Sequence, residues 1–210
     1  MEFLFQLIGN VVYFVMALLA LWGAYCLVMT WRRVAQTRFR NEKEQEEFFE
    51  ELEPPLNKGK FDVAVELCDD DIRALPQLAL YAIENRKVGV ARLQRRLVER
   101  FQQDVLADIE HRLSWVSTVS KSAPMVGLFG TVMGMMGAFS NLSTGTQVDT
   151  GQMAGDIMFA LITTALGLAI AVPLVIGSAG LNIQIRKMED LVSVGLARLL
   201  DNIKAISTRG

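Results

Sequence analysis

The sequence is poor in the side chains that most catalytic and metal sites use. Of its 210 residues one is histidine and two are cysteines, Cys26 in an apolar run and Cys68 in an acidic one. This usage is not typical of a disulfide framework or a metal site. His111 stands alone, and the acidic residues 69–71 have no glycine-rich loop near them. We therefore expect no catalytic residue, no metal site, no cofactor and no enzymatic activity.

Charged side chains are absent from three long stretches, although they make up 21% of the chain. None occurs in residues 3–31, 122–148 or 157–185. A helix of about 20 apolar residues is enough to cross a hydrocarbon layer of roughly 30 Å. Each stretch is therefore a predicted membrane helix. The first lacks the basic start and the small-residue cleavage site of a secretory signal, so we expect it to be retained.

Lysine and arginine are missing from residues 1–31 and 122–185, and all 21 lie in residues 32–121 or 186–209. Because cations accumulate on the cytoplasmic side, both basic segments are placed there and the N-terminus outside. The predicted segments are a first membrane helix (1–31), a cytoplasmic helical domain (32–115), a second membrane helix (116–140), an outer loop (141–153), a third membrane helix (154–181) and a cytoplasmic C-terminal helix (182–210).

The cytoplasmic part is nearly neutral, since residues 32–121 carry 16 basic and 17 acidic side chains. With a net charge of −2 for the whole chain, nucleic acid is not an expected partner. A charged helix is predicted at 38–53, ended by Pro54 and Pro55, and short helices at 61–68 and 75–85. Apolar residues then recur at helical spacing without a break into the second membrane stretch, where Pro124 is expected to bend the helix. The third membrane helix also continues past the bilayer. The predicted fold is thus an all-α integral membrane protein with two membrane helices extended into the cytoplasm.

Small residues recur at steps of three and four on the second and third membrane helices. They are Gly127, Gly130, Gly134 and Gly137 on the second, and Ala160, Thr164, Gly167 and Ala171 on the third. Such faces allow two helices to approach closely, and these two suit each other. Because a monomer would leave such stripes facing lipid, we also expect a homo-oligomer. Thr131, the only hydroxyl between Ser122 and Ser140, lies near the middle of the first stripe.

The two helices carry two ordered motifs, A-P-x-x-G-L-x-G-T-V-x-G-x-x-x-A-F from Ala123 and A-L-x-x-T-A-x-G-L-x-x-A-x-P from Ala160. Together they resemble the MotA/TolQ/ExbB proton channel family of bacterial inner-membrane proteins, and the ExbB and TolQ branch most closely. Thr131 and Thr164 align with two pore-facing threonines of those motifs. Pro124 and Pro173 align with the motif prolines. The resemblance implies a ring, commonly a pentamer.

One position departs from the family pattern, because Phe159 stands where many relatives have glutamate before the second motif. This leaves open a proton, another ion such as sodium, or a relay through the nearby Asp156. Residues 122–148 and 157–185 contain no ionisable side chain and offer instead the hydroxyls of Thr131, Thr163 and Thr164. A hydroxyl donates and accepts hydrogen bonds but carries no charge. A threonine in a membrane helix also often bonds its own helix and only packs.

The resemblance supplies the missing carboxylate in a partner. It implies a single-span protein of the ExbD or TolR kind with a membrane aspartate, and a TonB- or TolA-like energy transducer. The implied function is a subunit of an inner-membrane motor that couples proton-motive force to mechanical work for outer-membrane transport or envelope maintenance. The alternatives are a passive membrane scaffold and a sodium-driven, MotA-like stator subunit. MotA-type stators usually have four membrane helices, so three favour the ExbB and TolQ branch.

Overall fold

The computed structural model describes residues 2–143 and 150–207, and within these ranges the chain is helical, with turns between helices and no strand. The helices are α1 (Glu2–Thr37), α2 (Glu42–Asn57), α3 (Phe61–Asp69), α4 (Ala74–Glu84), α5 (Val90–Arg100), α6 (Ala107–Ser143) and α7 (Thr150–Ser207). A 3₁₀ turn at Arg86–Val88 precedes α5, and a π-helical segment at Phe101–Leu106 joins α5 to α6. The predicted all-α class is confirmed for the described residues.

Three stretches of helix are long and apolar enough to cross a membrane: Gly9–Thr37, Val90–Ser140 and Thr150–Ala205. Each overlaps most of one uncharged stretch of the sequence, and the third contains residues 157–185 completely. The prediction of three candidate membrane helices is therefore confirmed, and so is the extension of the second and third far beyond the length a bilayer needs.

The charged helix predicted at 38–53 is displaced in the structure, where α2 spans Glu42–Asn57 with both prolines inside it. The prediction that Pro54 and Pro55 end this helix is wrong. Each proline removes one backbone donor, but this last turn buries Leu56. The proline carbonyls accept hydrogen bonds from the amides of Lys58 and Lys60, at 3.2 and 2.9 Å. Burial of the leucine outweighs the lost donors.

The segment predicted as an outer loop, residues 141–153, is partly helical. Helix α6 continues to Ser143 and α7 begins at Thr150. Residues 144–149, which hold most of the glycine and threonine that predicted a turn, lie outside the described residues. The short helices of the cytoplasmic part agree with their predicted positions to within about one residue at each end.

The described residues form two compact units. The first lies within Met1–Met29 and Arg112–Gly180. Its centre is a buried cluster of Val116, Val119 and Leu174, against which Leu19 and Leu27 of α1 pack. Its outer surface is apolar, with Leu21 71% and Met125 70% exposed. A soluble protein would bury such side chains, so this surface suits contact with lipid.

The second unit lies within Thr30–His111 and Leu181–Gly210. Leucine is the most frequent of its buried side chains, as at Leu52, Leu75, Leu93, Leu97 and Leu199. Helix α2 packs on α3, α3 on α4, and α4 on α5. The C-terminal part of α7 is fixed to α2 by a hydrogen bond from Gln45 Nε2 to the Leu191 carbonyl (2.9 Å) and by the ion pair of Arg198 with Glu53 (2.6 Å).

Candidate functional site: a threonine pair between two membrane helices

Helices α6 and α7 touch through their backbones. A Cβ atom on Gly127 would lie 2.7 Å from the Thr163 carbonyl oxygen and 3.1 Å from Cα of Thr164. From the other side, a Cβ on Gly167 would lie 2.7 Å from the Ala123 carbonyl oxygen and 3.2 Å from Cα of Pro124. Backbone atoms cannot rotate away as a side chain can. Only glycine fits at these two positions with the helices at this distance.

The rest of the stripe on α6 receives side chains of α7. A Cβ on Gly130 would lie 2.5 Å from Thr163 Oγ1, so the absence of a side chain here makes room for Thr163. Thr163 is completely buried, and its hydroxyl donates to the Ala160 carbonyl of its own helix at 2.9 Å. A Cβ on Gly134 would lie 2.9 Å from Cβ of Ala160. Ala171, the last residue of the α7 stripe, is also buried.

These contacts correct one step of the sequence reasoning. The stripes were expected to face lipid in a monomer, but they pack against each other within one chain. The inference of a homo-oligomer from exposed stripes is therefore wrong in its premise. The glycines and alanines of the stripes are buried in the single chain and are not available to a neighbouring copy.

Thr131 and Thr164 meet across this helix contact, and their hydroxyls are hydrogen-bonded to each other. The Thr131 hydroxyl also lies 3.1 Å from the Ala160 carbonyl and 3.3 Å from the Gly127 carbonyl. The Thr164 hydroxyl lies 3.3 Å from the same Gly127 carbonyl. Each hydroxyl has one proton and two lone pairs, so these acceptors compete for two protons. The pair can thus reverse its direction of donation without moving a heavy atom.

The threonine pair differs from Thr163 in its exposure. Both of its residues are half-buried in the single chain, whereas Thr163 is enclosed. The residues one turn away on the same faces are large, apolar and exposed: Leu128 and Met135 on α6, and Leu161 and Leu168 on α7. The hydroxyls form a polar spot on an apolar surface, and this surface is open to a further helix.

A carboxylate, that of Asp156, lies near the start of α7. A Cβ on Gly137 would lie 3.1 Å from Asp156 Oδ2, so the carboxylate rests against this glycine. Eight residues of helix, or about 12 Å along the axis, separate Asp156 from Thr164. That distance is too great for a direct hydrogen bond between the two side chains.

Phe159 lies on a different face of α7. Its ring packs edge-to-face on Tyr13 of α1, with 5.4 Å between ring centroids, and it approaches Gly9. Five residues of helix turn the chain by about 140° beyond a full turn, which directs position 159 away from the face of Thr164. Sequence reasoning treated Phe159 only as a departure from the family pattern. Its packing role has a signal in Tyr13 and Gly9, which lie four residues apart in the first apolar stretch.

The motif prolines take different places. Pro124 lies inside α6, which continues through it, and its Cα faces Gly167. Pro173 lies inside α7 and is exposed. Neither contributes a polar group to the threonine pair. Across residues 2–143 and 150–207, histidine, cysteine and carboxylate side chains form no group of three that could hold a metal ion.

Comparison with known proteins gives a consistent result. The chain is 42% identical to the Tol-Pal system protein TolQ of Pseudomonas aeruginosa over 88 residues. The aligned region covers 42% of this chain and 36% of that protein. It is 36% identical over 85 residues to the putative biopolymer transport protein ExbB-like 2 of Helicobacter pylori, covering 40% of this chain and 55% of that protein. It is 34% identical over 106 residues to the biopolymer transport protein ExbB of Pseudomonas putida, covering 49% and 31%.

The matched region thus spans between about a third and a little over half of the length of these relatives. The model of the MotA/TolQ/ExbB proton channel family matches residues 74–193, which include both small-residue stripes and the threonine pair. That is more than half of the 210 residues. With its three apolar helices and this match, the chain is a multi-pass membrane protein that belongs to the MotA/TolQ/ExbB proton channel family.

Proposed function

We propose that this chain is a non-enzymatic subunit of an ion-driven motor in the bacterial inner membrane. With a single-span partner of the ExbD or TolR kind it would couple proton-motive force to mechanical work, through a TonB- or TolA-like transducer, for outer-membrane transport or envelope maintenance. Family membership supports the class of function. The observation that carries the proposal is the Thr131–Thr164 hydroxyl pair, half-exposed on an apolar membrane surface.

A hydroxyl pair suits a partner carboxylate that gains and loses a proton. An ionised aspartate needs hydrogen-bond donors, and a protonated one needs an acceptor as well. Each threonine hydroxyl can provide either, and the pair can reverse its direction of donation. The site would therefore hold both protonation states of a partner aspartate without a charged group of its own, which would be costly within the bilayer.

A ring would bring several such surfaces around one central helix. Five copies are proposed from the resemblance, with Thr131 and Thr164 of each copy lining the pore. The large exposed residues Leu128, on one side of each hydroxyl pair, and Leu161, on the other side, would then cover the partner helix. Native mass spectrometry of gently solubilised protein should show a homo-oligomer of five copies; a persistent monomer would refute the ring.

Sodium is a second candidate ion, favoured by the oxygens that converge at the site. The hydroxyl oxygens of Thr131 and Thr164 lie beside the carbonyl oxygens of Gly127 and Ala160. Oxygen ligands of this kind suit hard cations. Work that persists when the proton gradient is collapsed and a sodium gradient is kept would favour sodium; work that stops would favour the proton.

Substitution of the threonines tests the proposal, with Thr163 as the matched control. Threonine to valine keeps the shape and deletes the hydroxyl. Thr131→Val and Thr164→Val should fold and insert normally but lose ion-coupled growth or transport, while Thr163→Val should keep it, because that hydroxyl bonds only its own helix. Thr131→Ser, which restores the hydroxyl, should recover activity. Equal and near-normal activity of all three valine variants at matched membrane levels would reject the pore role and favour a passive scaffold.

A further inference from the structure

The outer face of α2 carries a stripe of exposed carboxylates. Glu46, Glu47, Glu50 and Glu51 are all exposed, and they repeat at spacings of one and four residues along the helix. Like charges four residues apart on a helix repel each other. We call these four residues the acidic stripe. In an isolated subunit it works against the helix that carries it.

The inner carboxylates of the same helix are matched by arginines of the same unit. Glu44 pairs with Arg73 at 2.8 Å, and Glu53 pairs with Arg198 at 2.6 Å. For Glu47 and Glu51, no ion pair forms with any residue in the described ranges. The fold therefore pairs an arginine with each inner carboxylate, and Arg198 also interacts electrostatically with Glu46 and Glu50. The carboxylates of Glu47 and Glu51 are left to the surroundings.

Helix α5 carries the opposite arrangement. Arg92, Arg95 and Arg96 are exposed on its outer face, opposite the buried Leu93 and Leu97. We call these three arginines the basic stripe. Arg95 reaches Glu99 only at 3.8 Å, with 83% of its side chain exposed, and neither Arg92 nor Arg96 takes part in an ion pair among the described residues. Arg100, by contrast, is held by Asp104 at 3.0 Å and by the ring of Tyr81.

The two stripes carry opposite charges at the same spacing. Glu47 and Glu51 are four residues apart, and so are Arg92 and Arg96, so each pair spans about 6 Å along its helix. Two such helices side by side can form two ion pairs at once. Because the second compact unit is nearly neutral as a whole, electrostatic attraction between copies has to come from local charged patches of this kind.

We propose that the acidic stripe of one copy docks on the basic stripe of α5 in the next copy. The contact is heterologous, since different surfaces of the two copies meet, and such a contact closes into a ring when the rotation between copies allows it. Every copy then has both stripes neutralised. This inference rests on the proposed homo-oligomer and adds the surface through which the soluble parts of neighbouring copies meet.

Charge reversal in the full-length chain, expressed with its partner, tests the docking. Glu47→Lys with Glu51→Lys should weaken association by about tenfold at each contact, because two attractive pairs become repulsive. Arg92→Glu with Arg96→Glu should do the same, and the chain carrying all four changes should assemble again. Asp69→Lys with Asp70→Lys is the control, since it makes the same change of charge at exposed positions outside both stripes. The readout is the oligomer fraction in native mass spectrometry.

Cross-linking gives a second readout that does not use the charge-reversal variants. Two differently tagged copies without the native cysteines carry Glu47→Cys in one and Arg96→Cys in the other, and Asp70→Cys replaces Glu47→Cys in the control. Mild oxidation should join the two tags in the first mixture and not in the control. A ring by mass spectrometry with no cross-link, or failure of the four changes to restore assembly, would overturn the docking and leave the proposed function standing. A persistent monomer would overturn both.

Discussion

Replacing Gly127 by alanine should loosen the contact between α6 and α7, and the structure allows the cost to be worked out. The added methyl would lie 2.7 Å from the Thr163 carbonyl oxygen and 3.1 Å from Cα of Thr164. Both atoms belong to the backbone, so the helices have to separate. Overpacking of this kind costs about 3 kcal/mol at the upper end of its usual range. Alanine favours a helix over glycine by about 1 kcal/mol. The free energy of unfolding should therefore fall by about 2 kcal/mol.

Gly155→Ala is the matched control, because a Cβ at this helical position of α7 would have no heavy atom within 4 Å. Only the gain in helix preference remains there, so this variant should be as stable as the parent or slightly more stable. Thermal unfolding in detergent, followed by tryptophan fluorescence, should show a Tm for Gly127→Ala about 4–8 °C below the parent. A Tm equal to or above that of Gly155→Ala would refute the backbone contact.

Three further outcomes are expected. Burial and the nearby Asp71 carboxylate raise the pKa of the Cys68 thiol to about 12; at pH 8 Cys68 should therefore stay unreactive towards maleimide until detergent denatures the protein, and rapid native labelling would contradict its burial. The hydrogen bond from Arg198 lowers the pKa of Glu53, so the pair stabilises the fold above the ordinary glutamate pKa of about 4.3 and loses that effect as pH falls through the lower folded value. Glu53→Gln should accordingly reduce stability by about 0.5–1 kcal/mol at pH 7 and hardly at all at pH 3, and a loss of equal size at both pH values would assign the effect to packing. In a background without native cysteines, Thr146→Cys, at a position outside the described residues, should react with an impermeant reagent from outside intact cells and Asn57→Cys should not; the reverse pattern would invert the predicted orientation.

The sequence was informative wherever one physical rule acts alone. Uncharged stretches have few alternatives to crossing a membrane, so the three candidate spans were predictable from residues 3–31, 122–148 and 157–185. The periodic glycines likewise indicated a close helix contact. The positions of the short helices followed from apolar spacing, as at Phe61–Asp69.

The predictions from sequence were wrong or incomplete where two physical effects compete, or where the outcome depends on which surface packs against the residue. Pro54 and Pro55 favour the end of a helix, but burial of Leu56 extends α2 past them. The periodicity of the glycines could show that a helix packs on them but not which helix, so the stripes were also assigned to an interface between copies. The motifs singled out Thr131 and Thr164 but gave no burial for any threonine. Only the packing of Thr163 against Gly130 shows that its hydroxyl is buried while the pair is half-exposed.

The backbone contact at Gly127 and Gly167 also limits how this protein can move. Neither helix can turn about its own axis without driving the larger neighbouring side chains into the contact, and neither can tilt away from the other without losing the backbone contact. Helices α6 and α7 should therefore move as one rigid pair along their contact, which includes Ala123 of α6 and Ala160 of α7. Any movement that follows ion binding has to displace the two helices together, or displace whatever lies against the threonine pair. The glycines of the contact hold the helices at a fixed distance and do not provide flexibility.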